Sequence, residues 1–549
     1  MIVAQAAFDT SKNQDSFAVD SRFTAWRFRV QLLLICVGAG LLSVILGPDN
    51  YWDLRYYHLY APWAYLHDRY LYDIGPAQEQ GFLNPTADFL LYGLISSPLN
   101  ATPRIVAFIM GAVHGINAAL ICAITCHVIH PPAPVERWTL RAVAWLMGVS
   151  GAGFISLLGT SSNDLTSALF VLGSLLGVLM VAERASGRAT WRRFAVAGLL
   201  AGIGLGLKYT SVVFMPGLGV VAILAALRQK TVAGLIAFGV TAALGFLVTA
   251  GHHLLVLWNT FKNPFFPYLN QILQSPYFEP TAIRDARFIP HDVWELMAFP
   301  FFWTKITTYV VAELPFRDWR AAIAYVALVA GVVAYLARRL RKNYRQDGVF
   351  GQTHGLGLVF VFVVASYFCW ALGFGYYRYV IPLEMLTGVV TIGALIWLIG
   401  NSRLRVLIAI MALTIATTTT VYLDWGRRQY GDRYVDVHVP PLPANGIVFI
   451  ATWEAVAYFI PFAEPTVRYL SIENNYLELS QNNLLASEVK RLMRTPGPSK
   501  FVLNVNELNR AKWNDLLEQF GLRLSVLPCL PIRSNLEVQV LSLCPLVDR

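Results

Sequence analysis

Eleven apolar runs, most of them near the length that crosses a bilayer, alternate along this chain with short loops rich in arginine and lysine. They occupy 30–47, 104–130, 139–159, 165–182, 194–207, 210–227, 231–257, 320–337, 355–375, 380–399 and 406–423. A helix needs about 20 apolar residues to span the hydrocarbon core, so the pattern predicts a polytopic α-helical membrane protein with about eleven transmembrane helices. Composition agrees. The 549 residues are 56% hydrophobic and 14% charged, where soluble domains carry about 25% charged residues. The net charge of +10 does not call for nucleic acid as a partner. The excess lies in loops between spans, where the positive-inside bias puts it, and the expected partner is the lipid bilayer. No internal repeat stands out.

The basic loops set the topology. Residues 1–29 carry Lys12, Arg22, Arg27 and Arg29 and read as a cytoplasmic tail, with the first run acting as a signal anchor. Arg137 and Arg141, Arg184 and Arg188 with Arg192 and Arg193, Arg228 and Lys230, Arg338 to Arg345, and Arg403 and Arg405 mark later cytoplasmic loops. These alternate correctly only if the apolar piece 86–99 does not cross. It is bounded by Asn84-Pro85 and Pro98 and falls short of a full span, so it reads as an interfacial helix. The spans and their outer loops, 48–103 and 258–318, then form one module over 30–423, with the N-terminus inside and the C-terminus outside.

From 424 to 549 the composition becomes that of a soluble domain. Gly446–Ala451, Val467–Ile472, Lys500–Val505 and Leu536–Leu546 read as strands, and Leu484–Arg494 and Glu507–Phe520 as helices. Alternating strands and helices predict a small α/β domain. Cys529 and Cys544 could pair there in an oxidising compartment. Cys36, Cys122, Cys126 and Cys369 lie in spans and read as core residues, without metal-ligand spacing.

With this topology, the outer face collects the chemistry. If Pro48 opens a helix, Asp49 and Asp53 share a face at i and i+4, and Trp52, Tyr56 and Tyr60 form a stripe that could stack on a sugar. An aromatic belt would explain the rings, but acids near a bilayer are costly and usually functional. Asp53 is the candidate general base. Asp164, after Asn163, could orient an acceptor, hold a divalent cation together with Asp53 or Asp49, or simply cap its helix. Lys208, Arg378 and Arg55 are candidates to bind a phosphate, Arg378 by its fork geometry. Lys208 and Arg378 could equally snorkel to the interface. His58 reads as a local hydrogen-bonding residue. Acids, cations and aromatics at one membrane mouth suit a polyprenyl-phosphate-linked sugar.

These residues resemble the GT-C superfamily of membrane glycosyltransferases, in pattern most like the protein O-mannosyltransferases and the lipid A aminoarabinose transferase. The resemblance rests on the acid after the first span (Asp53, with Asp49 near it), the interfacial helices that follow and the second-loop acid Asp164. To these it adds the Gly204–Ser211 turn, the large loop 258–318 and the exported C-terminal domain. It implies an inverting transferase that moves a sugar from a polyprenyl-phosphate donor to a hydroxyl or amine on a lipid, glycan or protein acceptor. It also implies an inner-membrane protein of a bacterium with a periplasmic C-terminal domain. The chain lacks the acid-x-acid pair and the Trp-Trp-Asp-Tyr-Gly motif of the oligosaccharyltransferase branch. That argues against en bloc oligosaccharide transfer and leaves a divalent metal ion as an open cofactor. A transporter or flippase of lipid-linked sugars is the alternative, and a non-catalytic scaffold a further one.

Overall fold

The computed structural model describes residues 17–183, 190–306, 311–340, 354–475, 477–504, 510–536 and 539–548. Lys12, Arg184, Arg188, Arg341, Lys342, Arg345, Val505 and Glu507 lie outside them. Helix α1 (Phe17–Leu46) leads into an outer loop containing α2 (Tyr60–Leu66) and α3 (Phe89–Ile95). There follow α4 (Pro103–Val128), α5 (Pro134–Val149), α6 (Ala152–Leu157), α7 (Asp164–Glu183), α8 (Thr190–Leu207), α9 (Met215–Gln229) and α10 (Val232–Phe261). The second outer loop holds α11 (Asn270–Leu273) and α12 (Val293–Phe302), and α13 (Arg320–Arg339), α14 (His354–Gly373), α15 (Ile381–Leu398) and α16 (Ser402–Thr419) complete the bundle.

Ten of the expected spans fall on one helix each, and the span 139–159 divides between α5 and α6. Eight of them are long and apolar enough to cross a membrane: α1, α4, α7, α9, α10, α14, α15 and α16, with α9 and α15 counted together with the short turns before them. The remaining three expected spans fall on α5 with α6, on α8 and on α13, the last being a shorter apolar helix over the described stretch Arg320–Ala334. Helix α3, with seven residues, is about 10 Å long and does not cross. Helix α15 is enclosed along its whole length. By contrast, α10 turns Val232, Ile236, Val240, Leu244, Val248 and Leu255 outward, the surface a lipid-facing helix presents.

The expected single span over 139–159 is instead two helices. The chain breaks at Ser150-Gly151 because carboxylates from other elements take over the free N–H groups of α6. Glu384 accepts from Gly153 N (2.8 Å) and Phe154 N (2.9 Å), and Asp318 accepts from Ala152 N (3.0 Å). A Cβ on Gly151 would lie 1.9 Å from Glu384 Oε1, so only glycine lets that carboxylate approach.

Helices α8 and α10 pack backbone to backbone through Gly198, Gly202 and Gly206. A Cβ on Gly202 would stand 1.8 Å from the Ala242 carbonyl oxygen, whereas one on Gly239 meets nothing within 4 Å. Small residues are what allow helices to associate closely in lipid. We therefore expect Gly202→Ala to cost about 1–3 kcal/mol by overpacking, seen as a lower thermal midpoint in detergent, while Gly239→Ala leaves the midpoint unchanged.

The C-terminal domain comprises β1 (Val437–His438), β2 (Ile447–Ala451), β3 (Arg468–Glu473), α17 (Leu484–Arg494), β4 (Lys500–Asn504), α18 (Arg510–Glu518), β5 (Leu522–Leu524), β6 (Leu530–Ser534) and β7 (Leu541–Asp548). They form one sheet in the order β1-β6-β7-β4-β2-β3, with β5 also on β7. Strand β2 is parallel to β3 and β4, so the expected β/α alternation describes this half of the sheet. Strand β7 runs antiparallel to β4, β5 and β6, which makes the sheet mixed. A disulfide joins Cys529 to Cys544. The domain is stitched to the first outer loop. Ile74 bridges to Leu470 at the β3 edge, Arg69 donates to the carbonyls of Pro465 and Val467 (both 2.6 Å), and Asp73 accepts from Tyr469 N (2.9 Å).

Candidate active site

The first outer loop does not begin with a helix at Pro48. Residues 47–50 instead pair with a strap at 426–428: Asn50 N donates to Gly426 O (2.8 Å) and Arg428 N to Pro48 O (2.9 Å). Gly47 has φ +84°, and a Cβ there would lie 2.6 Å from Arg428 O. Helical geometry starts at Trp52 and widens into a π-helical turn over Leu54–His58; such turns recur at functional sites. Asp49 and Asp53 therefore do not share a helix face. Asp49 is fully buried and accepts from Ser161 Oγ (2.7 Å) and Ser161 N (3.1 Å). Both its oxygens hold the second outer loop against the first.

Asp53 stands at the head of the π turn with Oδ2 2.7 Å from Arg378 Nη1. Arg378 lies in the short turn Tyr377–Val380 before α15, its guanidinium 5.2 Å from the Tyr379 ring centre and 5.5 Å from that of Tyr51. Its Nε is buried with no hydrogen-bond partner among the described residues. Lys208, at the junction of α8 and α9, reaches Asp164 Oδ1 at 2.7 Å and lies 5.2 Å from the same Tyr379 ring. Two acid–base pairs thus meet around Tyr379, with Asp53, Asp164, Lys208 and Arg378 converging from four separate segments. Asp164 also accepts from Ser162 Oγ (2.7 Å), so its side chain ties a cation rather than capping α7. Burial pushes the Asp53 carboxyl up to about 6, while His58 and Lys208 pull the other way.

His58 and Asp88 join this group. The sequence pointed to neither as a pair, because nothing in a spacing of 30 residues links them. His58 Nδ1 lies 2.6 Å from Asp88 Oδ1, and Asn163 Nδ2 donates to the same oxygen at 2.7 Å. Both side chains are buried, and His58 Nε2 has no hydrogen-bond partner among the described residues. Burial alone would lower the imidazole pKa. The Asp88 carboxylate outweighs it, with Asp53 adding, and holds His58 above its usual value.

The aromatic stripe is kept only in part. Trp52 and Tyr56 stay edge to face with ring centres 6.1 Å apart, while Tyr60 packs on Trp63 at 6.0 Å. Trp52 is 41% exposed. Tyr56 is buried, and Tyr60 is buried with its hydroxyl on Asp73 (3.1 Å) in the Arg69 network. Of the three rings expected to stack on a sugar, Trp52 is the one with an exposed face. Arg55, expected at the phosphate, lies with its guanidinium 5.5 Å from the Trp52 ring centre, close enough to Tyr458 and Glu454 of the C-terminal domain to feel their charge.

A divalent cation held by Asp53 and Asp164 does not fit this donor set. Each carboxylate already meets a cation at 2.7 Å, so a metal ion would stand against Arg378 and Lys208. Among the described residues no group of three or more His, Cys, Asp or Glu side chains is placed to hold a metal ion. We route no step through a metal.

No family model matches this chain, and no curated protein matches it. Among solved structures the chain is similar to the crystal structure of ArnT from Cupriavidus metallidurans bound to undecaprenyl phosphate. The two share 10% identity over 95% of this chain and 98% of that one, with a TM-score of 0.47.

Proposed function

We propose that this chain is a membrane glycosyltransferase of GT-C type. It would move a sugar from a polyprenyl-phosphate donor to an acceptor hydroxyl or amine at the outer membrane face, with Asp53 as general base. The observation that carries the reading is the Asp53–Arg378 pair at 2.7 Å beside the Lys208–Asp164 pair. It sets a carboxylate and two cations at the outer ends of membrane helices.

The donor phosphate competes with Asp53 for Arg378, whose fork and buried Nε suit phosphate oxygens. Lys208 supplies a second positive charge. Asp53, freed from its partner, accepts the acceptor proton as the acceptor oxygen or nitrogen bonds to the anomeric carbon. The bond from that carbon to the phosphate oxygen breaks, and the polyprenyl phosphate leaves with the electron pair, its charge met by Arg378 and Lys208. The His58–Asp88 pair, held by Asn163, lies beside Asp53 as a second proton-carrying group.

The base works only as carboxylate. Its pKa is raised to about 6, so transfer should climb with pH through about 6 and level off above it. We expect this acidic limb in kcat/KM, which reports the free enzyme. The assay follows sugar passing from a labelled polyprenyl-phosphate donor to envelope acceptor in membranes containing the protein. A rate flat between pH 5 and 7 would count against Asp53 as base. Relocation of intact donor without formation of a new glycosidic bond would count against a transferase altogether.

A further inference from the structure

Outside the donor side, the largest collection of unused polar chemistry lies where the first outer loop meets the C-terminal domain. The π turn Leu54–His58 packs there against both the turn Gln78–Phe82 and the segment Ala457–Phe462. Among the described residues, three polar atoms at this seam are buried without a hydrogen-bond partner: Arg55 Nε, Glu79 Oε2 and Gln80 Oε1. Such atoms are costly to bury unless something satisfies them. Two indoles beside them stay open to solvent, Trp52 at 41% exposure and Trp453 at 56%. The loop carrying Trp453 is fixed: Gln78 Nε2 donates to Trp453 O (3.1 Å), and Gln78 Oε1 accepts from Asn475 N (3.0 Å).

We propose that this seam is the acceptor subsite and that it binds a saccharide, held by Arg55 and Glu79 and stacked on Trp52 and Trp453. The proposal rests on the transferase reading and adds the chemical class of the acceptor. A sugar ring presents hydroxyls that both donate and accept, together with C–H faces. It therefore answers a guanidinium that only donates, a carboxylate that only accepts, and exposed aromatic faces. The seam is also well placed. Arg55 is two residues from Asp53 on the same turn and lies near Tyr458 and Glu454 of the C-terminal domain, whereas Asp53 itself pairs with Arg378. A saccharide bound at Arg55 would thus lie against the turn that carries the base. The C-terminal domain is then part of the catalytic cleft, since it supplies Trp453 and the wall facing Arg55.

The test uses the full-length protein in phosphatidylethanolamine–phosphatidylglycerol nanodiscs. The probes are oligosaccharides freed of lipid from bacterial envelope glycans, followed by tryptophan fluorescence and equilibrium dialysis. Undecaprenyl phosphate binding is measured in parallel. We expect at least one saccharide class to bind. Trp453→Ala and Arg55→Gln should each weaken it by about tenfold or more, equivalent to about 1.4 kcal/mol, without changing undecaprenyl phosphate binding. Trp453 is a surface residue, so its variant keeps the fold even where Arg55→Gln does not. If no saccharide binds, if both variants bind it as the wild type does, or if only peptides bind, the subsite proposal is overturned. If instead undecaprenyl phosphate fails to bind, or binds Arg378→Ala as tightly as wild type, it is the donor reading that falls. The two failures are thus read on separate ligands.

Discussion

Asp53→Asn should reduce sugar transfer by about 10²–10⁴-fold, the usual contribution of a positioned general base, while leaving the protein folded in the membrane. Asparagine keeps an oxygen for Arg378 and matches the carboxylate in volume. It lacks the negative charge and with it the ability to take a proton. The sign of the stability effect follows from the raised pKa of about 6. An acid whose pKa rises on folding costs stability once pH exceeds its unfolded value, so removing that charge should leave the thermal midpoint unchanged or raise it at neutral pH. The wild-type rate should fall toward that of the variant as pH drops below 6. Loss of transfer together with loss of folded protein would mean that Asp53 is structural. Unchanged transfer would remove it from the chemistry.

Arg320→Met is the second large effect, and it acts on stability. The Arg320 guanidinium is buried at the start of α13. It donates to Asp318 (2.6 Å), Met147 O (2.9 Å), Ser150 O (2.5 Å) and Thr420 Oγ1 (2.8 Å). Methionine fills part of the volume but strands the Asp318 carboxylate and the last carbonyls of α5. Removing one partner of a buried pair typically costs 3–5 kcal/mol, so we expect a large drop in thermal midpoint in detergent. The damage should also reach the site. Asp318 and Glu384 both accept from the Tyr377 hydroxyl, at 3.3 and 2.6 Å, and Tyr377 precedes Arg378. Transfer per folded molecule should therefore fall as well. Arg320→Lys should rescue only in part, because a single ammonium cannot serve four acceptors spread over a guanidinium fork.

How far the sequence carries can be seen residue by residue. Apolar runs and arginine-rich loops located the helices, and the same parity sent Asp53, Asp164, Lys208 and Arg378 to one membrane face, where the structure pairs them. That worked because both signals are local and repeated. The π turn was not legible. It depends on residues 47–50 pairing with a strap about 380 residues later, and it changed the meaning of Asp49, Tyr56 and Tyr60 together. Asp88 was visible only as one more acid, since its role comes from a histidine that a folded loop brings to it. The break between α5 and α6 was hidden for a similar reason: in sequence Gly151 is an ordinary glycine, and only Glu384 explains it. In the C-terminal domain β5 and β6 were missed, short strands whose partner β7 comes later in the chain.

The stitching of the first outer loop to the C-terminal domain also bears on the order of events during synthesis. Asp73 waits for Tyr469 across 396 positions, and Asn100 for Val435 across 335. Chains emerge N-terminus first, and contacts so distant in sequence close late. The loop carrying Asp53 is made among the earliest segments, yet its anchors follow the last helix of the bundle. A chain that stops after α16 but before residue 426 would carry every bundle helix with that loop still unfastened. The loop carrying Asp53 is thus fastened only in molecules whose synthesis has passed the bundle.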